Sequence, residues 1–476
     1  MFIKLTGLVL LLIFVSIPLF LHVDSLPFRL WDESRLASNA YEMHKNNNLI
    51  VTYYDGAPEM WSTKPPLVIW MQVFFIKLIG FNELAIRLPS ALAGLLTCAA
   101  LLFFSWQYFK NFLPGAFACL ILVSTNGYVD IHAIRTGDYD GPLALFTTLF
   151  VLAAFLYSED QNKKWVTLFF TGITLGVLTK SIQPLIFLPG IAIYFILRKR
   201  LNLIFNSAFL KGFCIAIFII ASYYITREVM NNGYLSAVWD NEMGGRFFKG
   251  LEENNEGPLY YISRAGYLFP YWMFVLPLAI ISGMLSKSRK VRQLTIYILI
   301  VTVTYFAIIT FSKTKLYWYT VPLFPLLSVH IAVFLYQLYD YLKQLTFIRK
   351  YHAVSLIIVC MIFIYPYQKI VKKVYHPQEY EWDNMYPVSE LLQDAFQGKT
   401  SLNNHVIVYR DYDQHLKVYT DALHDKGQII LYKQPDQLVK GDTVIASEPE
   451  VYKIIETKYD SQIMKTDHGV KIYVIR

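Results

Sequence analysis

The chain has 476 residues, 55% of them hydrophobic and only 16% charged, with a formal net charge of +8. Soluble domains carry nearer a quarter charged residues, so the deficit excludes a fully wetted surface and points to lipid contact. The excess of positive charge does not signal nucleic acid, because the basic residues gather in short loops between apolar runs.

In chain order, runs such as LTGLVLLLIFVSIPLFL, LPSALAGLLTCAALLFFSW, LTIYILIVTVTYFAIITF and AVSLIIVCMIFIYPY come near the 20 or so apolar residues that a span requires. Eleven spans are expected, over 5–23, 88–109, 113–130, 142–158, 165–180, 182–197, 209–226, 267–284, 294–311, 318–338 and 351–368. The first is read as a retained helix, since no A-x-A cleavage site follows it. The segment 65–80 is short for a span and is interrupted by Lys77, so it is read as an interfacial helix. That choice puts Lys163 and Lys164, RKR 198–200, KSRKVR 287–292, and Lys343, Arg349 and Lys350 on one side, as the positive-inside rule requires. The N-terminus is then cytoplasmic. The loops 24–87, 135–141, 227–266 and 312–315, and everything after 369, face outward. The tail 369–476 holds short β-branched runs, HVIVYR, QIILY, DTVIAS and VKIYVIR, between polar turns, and reads as a small α/β soluble domain. Cys98, Cys119, Cys214 and Cys360 all lie in apolar runs and read as small hydrophobes.

The outer loops carry charges that loops of their length do not need. Asp32 and Glu33 follow the first span, and an acidic pair there also suits a helix start. Lys64 precedes Pro65 and Pro66, which fix the chain direction behind it. Arg135, Asp138 and Asp140 crowd IRTGDYDGP, where Gly137 and Gly141 serve as turn formers. Arg246 lies in NEMGGRFFKG, and Lys313 and Lys315 in FSKTKLYWYTVPLFP, against the positive-inside trend. Charge near membrane depth is costly and defaults to function. Bases above apolar, aromatic grooves suit a phosphate with a lipid tail, and a carboxylate could act as general base beside it.

WDESRLASNAYEM, STKPPLVIWMQ, FNELAIRLPSAL, RTGDYDGPLALF and SKTKLYWYTVPLFPLL, in this order, resemble the loop motifs of GT-C-fold glycosyltransferases that use polyprenyl-phosphate sugars. The nearest groups are bacterial lipid A aminoarabinose transferases and protein O-mannosyltransferases. The resemblance covers most of residues 1–370. It implies an all-α polytopic membrane fold of about eleven spans with outer interfacial helices, followed by the small α/β domain. It implies Asp32, Glu33 and Asp140 as the catalytic carboxylates, with Asp32 as base, and Lys64, Arg135, Arg246, Lys313, Lys315 and Tyr319 around the donor phosphate. In the aminoarabinose transferases a glutamate before the lysine and a histidine after the loop glutamate can hold a metal. Here those positions are Thr63 and Met243, so no cofactor is expected, with a divalent metal gathered by Asp32, Glu33 and Asp140 as the alternative. The implied reaction moves a sugar from a polyprenyl-phosphate donor, with inversion, to a lipid, glycan or protein acceptor at the outer face of a bacterial plasma membrane. No P-loop or G-x-G-x-x-G element is present, in line with a donor already activated by its phosphate. A polyprenyl-lipid transporter or flippase is the alternative from a different class.

Overall fold

The computed structural model describes residues 2–242, 244, 256–345, 352–377, 386–410, 412–467 and 469–476. Its elements in chain order begin with α1 (Phe2–Phe20), α2 (Asp32–Asn46), the two-residue strands β1 (Tyr53–Tyr54) and β2 (Ala57–Pro58), α3 (Leu67–Ile79), α4 (Glu83–Phe109), α5 (Leu113–Val123), α6 (Asp140–Asp160) and α7 (Lys164–Lys180). A 3-10 turn, Gln183–Phe187, leads into α8 (Leu188–Leu197), followed by α9 (Ser207–Met230), α10 (Tyr234–Val238), α11 (Tyr260–Leu268), α12 (Trp272–Leu285) and α13 (Arg289–Phe311). A second 3-10 segment, Tyr317–Leu323, runs into α14 (Phe324–Leu342), and α15 (His352–Tyr375) ends the bundle. The tail comprises α16 (Pro387–Phe396), β3 (His405–Ile407), α17 (Gln414–Asp425), β4 (Ile430–Tyr432), β5 (Thr443–Ala446), α18 (Pro449–Lys458), β6 (Ser461–Asp467) and β7 (Val470–Ile475).

A helix occupies each of the eleven expected spans, but not all of them can cross. Six described helical segments are long and apolar enough, and a seventh if α11 and α12, bent by 104°, count as one. The bend falls at Phe269–Tyr271, where Pro270 supplies no backbone donor. The expected span 113–130 stops at Val123. Ser124 and Thr125 turn their hydroxyls back onto the carbonyls of Leu120 and Ile121. The chain then re-enters the protein as a buried loop, with Tyr128, Val129, Ala133 and Ile134 fully enclosed. α15 runs to Tyr375, seven residues past its expected end.

α3 has 13 residues, hence about 20 Å at 1.5 Å per residue, too short for a 30 Å hydrocarbon layer. It lies on α2 and α4. Gln72 Nε2 donates to Gly137 O at 2.9 Å and Ile86 O at 3.2 Å, which fixes α3 beside the loop before α6. All four β-branched tail runs form strands, and SQIMKTD adds β6, in the order β4-β3-β5-β7-β6. β3 pairs in parallel with β4 and β5, while β7 runs antiparallel to β5 and β6. This domain is docked on the bundle: Tyr419 OH reaches Glu83, Gln393 Nε2 donates to Glu83 Oε1 at 2.9 Å, and Leu30 N donates to Tyr386 OH at 3.1 Å.

The loops sort into two ends. Tyr108 OH donates to Lys290 O, Asn111 to Tyr336 OH, Tyr157 OH to Leu203 O, and Arg198 faces Glu159. These contacts gather the basic loops at one end. The 21–33 loop, α2, α3, the 124–139 loop and the tail domain share the other.

One buried ion pair joins that end. Arg87 spends all five N–H groups: Nε on Glu33 Oε1 at 2.6 Å, Nη2 on Glu33 Oε2 and Pro27 O, and Nη1 on Val23 O and Leu26 O. Glu33 also accepts from Arg29 N and Gly137 N, both at 2.8 Å. A Cβ on Gly137 would sit 2.4 Å from Ile86 Cγ2, so this glycine serves close approach rather than the turn geometry expected of it. Arg87→Met, which strands the Glu33 charge, is expected to cost about 3–5 kcal/mol. Adding Glu33→Gln should recover part of the loss, read as the thermal midpoint of the detergent-solubilised protein.

Candidate active site

Two of the cavities at the docked end are lined by residues expected in the site. The first has a polar wall of Lys64, Lys180, Gln183, Glu242, Ser312 and Tyr319 and an apolar wall of Ile182, Ile186, Ile308 and Ile309. Lys64 arrives on the rigid Thr63–Pro66 turn before α3. Its Nζ lies 3.3 Å from Glu242 Oε1 and 5.3 Å from the Tyr139 ring centroid. Lys180 closes α7 and lies 5.5 Å from the Tyr319 ring centroid. It is held from below by both oxygens of Asp140, at 2.7 and 2.6 Å. Tyr319 is set by the 3-10 turn, whose carbonyl accepts from Tyr305 OH at 2.9 Å.

The second cavity is lined by Trp31, Asp32, Arg35, Trp61 and Tyr412. Asp32 opens α2 and keeps 39% of its side chain exposed. Behind it, His132 Nδ1 lies 3.6 Å from Asp32 Oδ2 and 3.5 Å from Asp138 Oδ2. The His132 ring stacks on Trp318 at 3.8 Å, so three separate outer segments meet here. Tyr139 carries Lys64 over its ring, and Ser62 Oγ lies 3.5 Å from its hydroxyl. Burial, and then the nearby Asp32, Glu242 and Glu59 carboxylates, push the Tyr139 pKa above its ordinary value.

Of the residues expected in the site, Lys64 and Tyr319 share the first cavity and Asp32 faces the second. The other expected residues that the structure describes line neither cavity. Glu33 is 1% exposed with four protein donors on its carboxylate, so it cannot touch substrate. Burial alone would raise its pKa; Arg87 and the amides of Arg29 and Gly137 hold it below the ordinary value. It positions α2 instead. Asp140 is 2% exposed with both oxygens committed to Lys180, so it orients that lysine rather than acting as a base. Arg135 donates to the carbonyls of Leu21 and His22 at 2.8 and 3.0 Å, tying its loop to the end of α1. Lys315 Nζ is bound to Ser312 O at 2.7 Å, one residue removed from the cavity wall, and Lys313 is exposed to solvent. Arg246 and Met243 lie outside the described residues.

Lys180, Glu242 and His132 were not anticipated. Lys180 carried a signal, as a lysine at the outer end of an apolar helix, against the charge rule that governs the other loops. His132 carried none, since a single histidine between apolar residues is indistinguishable from a core one. Asp32, His132 and Asp138 offer ligand atoms all within 4.8 Å of one another, close enough for a cation. Burial would lower the His132 pKa, but Asp138 and then Asp32 and Asp140 raise it to about 9. The folded pKa is raised, so the stabilisation is complete below 6.5 and is lost as pH rises through about 9. The thermal midpoint should therefore fall between pH 7 and 10 in the wild type, and the part due to this cluster should vanish in His132→Gln.

Residues 63–225 match the model of a family described as dolichyl-phosphate-mannose-protein mannosyltransferase. An undecaprenyl phosphate-alpha-4-amino-4-deoxy-L-arabinose arabinosyl transferase of Aeromonas salmonicida is 25% identical over 335 residues, 67% of this chain and 59% of that one. A protein of Aquifex aeolicus with no assigned function is 22% identical over 308 residues, 64% of this chain and 59% of its own length. The chain thus spans 59% of the length of each of these two relatives. The crystal structure of ArnT from Cupriavidus metallidurans bound to undecaprenyl phosphate superposes with a TM-score of 0.73 at 15% identity, covering 98% of both chains. By architecture the chain is a GT-C-fold membrane protein, and its residues 63–225 carry the domain described for those mannosyltransferases.

Proposed function

We propose that the protein is an inverting glycosyltransferase that moves a sugar from a polyprenyl-phosphate donor to a lipid, glycan or protein acceptor. Its site would lie on the extracytoplasmic face of a bacterial plasma membrane. The observation that carries this reading is the first cavity, where Lys64, Lys180 and Tyr319 stand opposite four isoleucines. That pairing suits a phosphate headgroup with an apolar tail. Undecaprenyl phosphate is the molecule bound in the ArnT structure that shares this fold. The basic loops collecting at the opposite end support the outward placement. The charged groups lie at one end of the bundle and not at its midplane, which favours an enzyme over a transporter.

In this reaction the acceptor oxygen bonds to the anomeric carbon while the bond from that carbon to the phosphate oxygen breaks, and the acceptor proton passes to Asp32. Negative charge grows on the departing polyprenyl phosphate, where Lys64 and Lys180 face it in a preorganised setting. Asp140 and Glu242 hold the two ammonium groups in position. His132, 3.6 Å from Asp32 Oδ2, would orient the Asp32 carboxylate. No metal takes part in this scheme, since Thr63 and Met243 offer no ligand of the usual kind.

The test is single-turnover transfer from a radiolabelled polyprenyl-phosphate sugar by membranes or nanodiscs. Asp32→Asn should lower transfer by about 10²–10⁴-fold while the protein still folds; full activity would remove the base assignment. Lys64→Ala should lower the rate by about 10²–10³-fold and weaken donor binding more than acceptor binding. EDTA should leave transfer intact, and loss rescued by a divalent ion would overturn the metal-free scheme.

A further inference from the structure

We infer that the second cavity is a carbohydrate subsite that seats a pyranose ring of the acceptor beside Asp32. This rests on the transferase reading above and narrows its acceptor from any hydroxyl to one borne by a sugar. The cavity measures about 370 Å³, within the range of small-ligand pockets. Its walls are aromatic planes that water would otherwise leave bare: Trp31 is 59% exposed and Trp61 46%.

Both planes are held rigidly. Trp31 has φ 69°, a backbone region that bulky residues avoid. Its ring lies 4.4 Å from that of Tyr412, at an interplanar angle of 4°. Tyr412 belongs to the tail domain and is fixed by its hydroxyl, 3.2 Å from Tyr54 OH. On the other side, Arg35 forms two bonds with Glu59, at 2.7 and 2.9 Å. Its guanidinium lies 3.8 Å from the Tyr54 ring centroid and 4.8 Å from that of Trp61. Glu59 completes the set by accepting from Trp61 N and Ser62 N.

The chemistry of this wall matches a sugar ring. A pyranose offers an apolar C–H face and a rim of hydroxyls; here aromatic faces are bordered by the Asp32 carboxylate and the Arg35 guanidinium. Aromatic side chains with a polar border are suited to ligands that are apolar on one face and wet on the other. A peptide acceptor would call for a sheet edge or groove to pair its extended backbone, and this cavity offers side-chain planes instead. The tail domain thereby acquires a role, since Tyr412 completes the stack.

The test is saturation-transfer NMR on the full chain in nanodiscs, which avoids sugar-based detergents. The probes are chitobiose, cellobiose, lactose and mannobiose, each free and on a diacyl anchor, with a serine/threonine decapeptide as comparison. At least one disaccharide should bind saturably while the decapeptide does not. Binding should weaken by about tenfold in Trp31→Leu and Trp61→Leu, the scale of one lost aromatic contact, and persist in Tyr412→Phe, which keeps the stack. Tighter binding of the anchored form would make the acceptor a glycolipid, and equal binding a free glycan; either outcome supports the subsite. Absence of binding by every disaccharide, or undiminished binding in both leucine variants, overturns it. Donor hydrolysis to water by the wild type, run in parallel, separates the two readings. Its absence in the wild type would sink the transferase proposal while the binding result still decides the subsite.

Discussion

The docked end of this molecule hangs on Arg87. A guanidinium with every N–H directed at a protein oxygen, buried against a carboxylate with four donors of its own, leaves no freedom in the segments that meet there. Those segments are the 23–33 loop, the first turn of α2, the start of α4 and the approach to α6. The Asp32 side chain projects from the same helical turn as Glu33, so its position is inherited from this pair. A buried ion pair is weak evidence for stability, because desolvation offsets much of the attraction. What this one supplies is registry: loops far apart in sequence are brought to a common point before any ligand arrives.

Much of the architecture was legible from periodicity and charge. Each expected span has a helix, and the interfacial reading of 65–80 matches a helix too short to cross. The limits of those expectations have physical causes. Serine and threonine hydroxyls stop α5 early by bonding back to its carbonyls, and apolar composition cannot distinguish a buried loop from the continuation of a span. Pro270 breaks a stretch that hydropathy reads as continuous. β6 was missed because SQIMKTD mixes polar and apolar residues without clear alternation.

The site was legible in part, for a related reason. Sequence identifies residues that are expensive to bury, but not which of them satisfy one another. Glu33, Arg135, Asp140 and Lys315 are as unusual in their loops as Lys64 and Asp32, yet the structure commits each of them to protein partners. Lys180 and Glu242 enter because tertiary packing pairs them with residues 40 and 178 positions away. His132 enters because a residue at φ 63° turns its ring onto Trp318. None of these pairings leaves a local trace in composition.

Both lysines of the first cavity already face a carboxylate, Lys64 through Glu242 and Lys180 through Asp140. Such a pocket is close to electrically balanced before anything enters, and an incoming anion must compete with a resident counter-charge. Under the proposed transfer reaction, this balance would favour release of the spent headgroup over its retention.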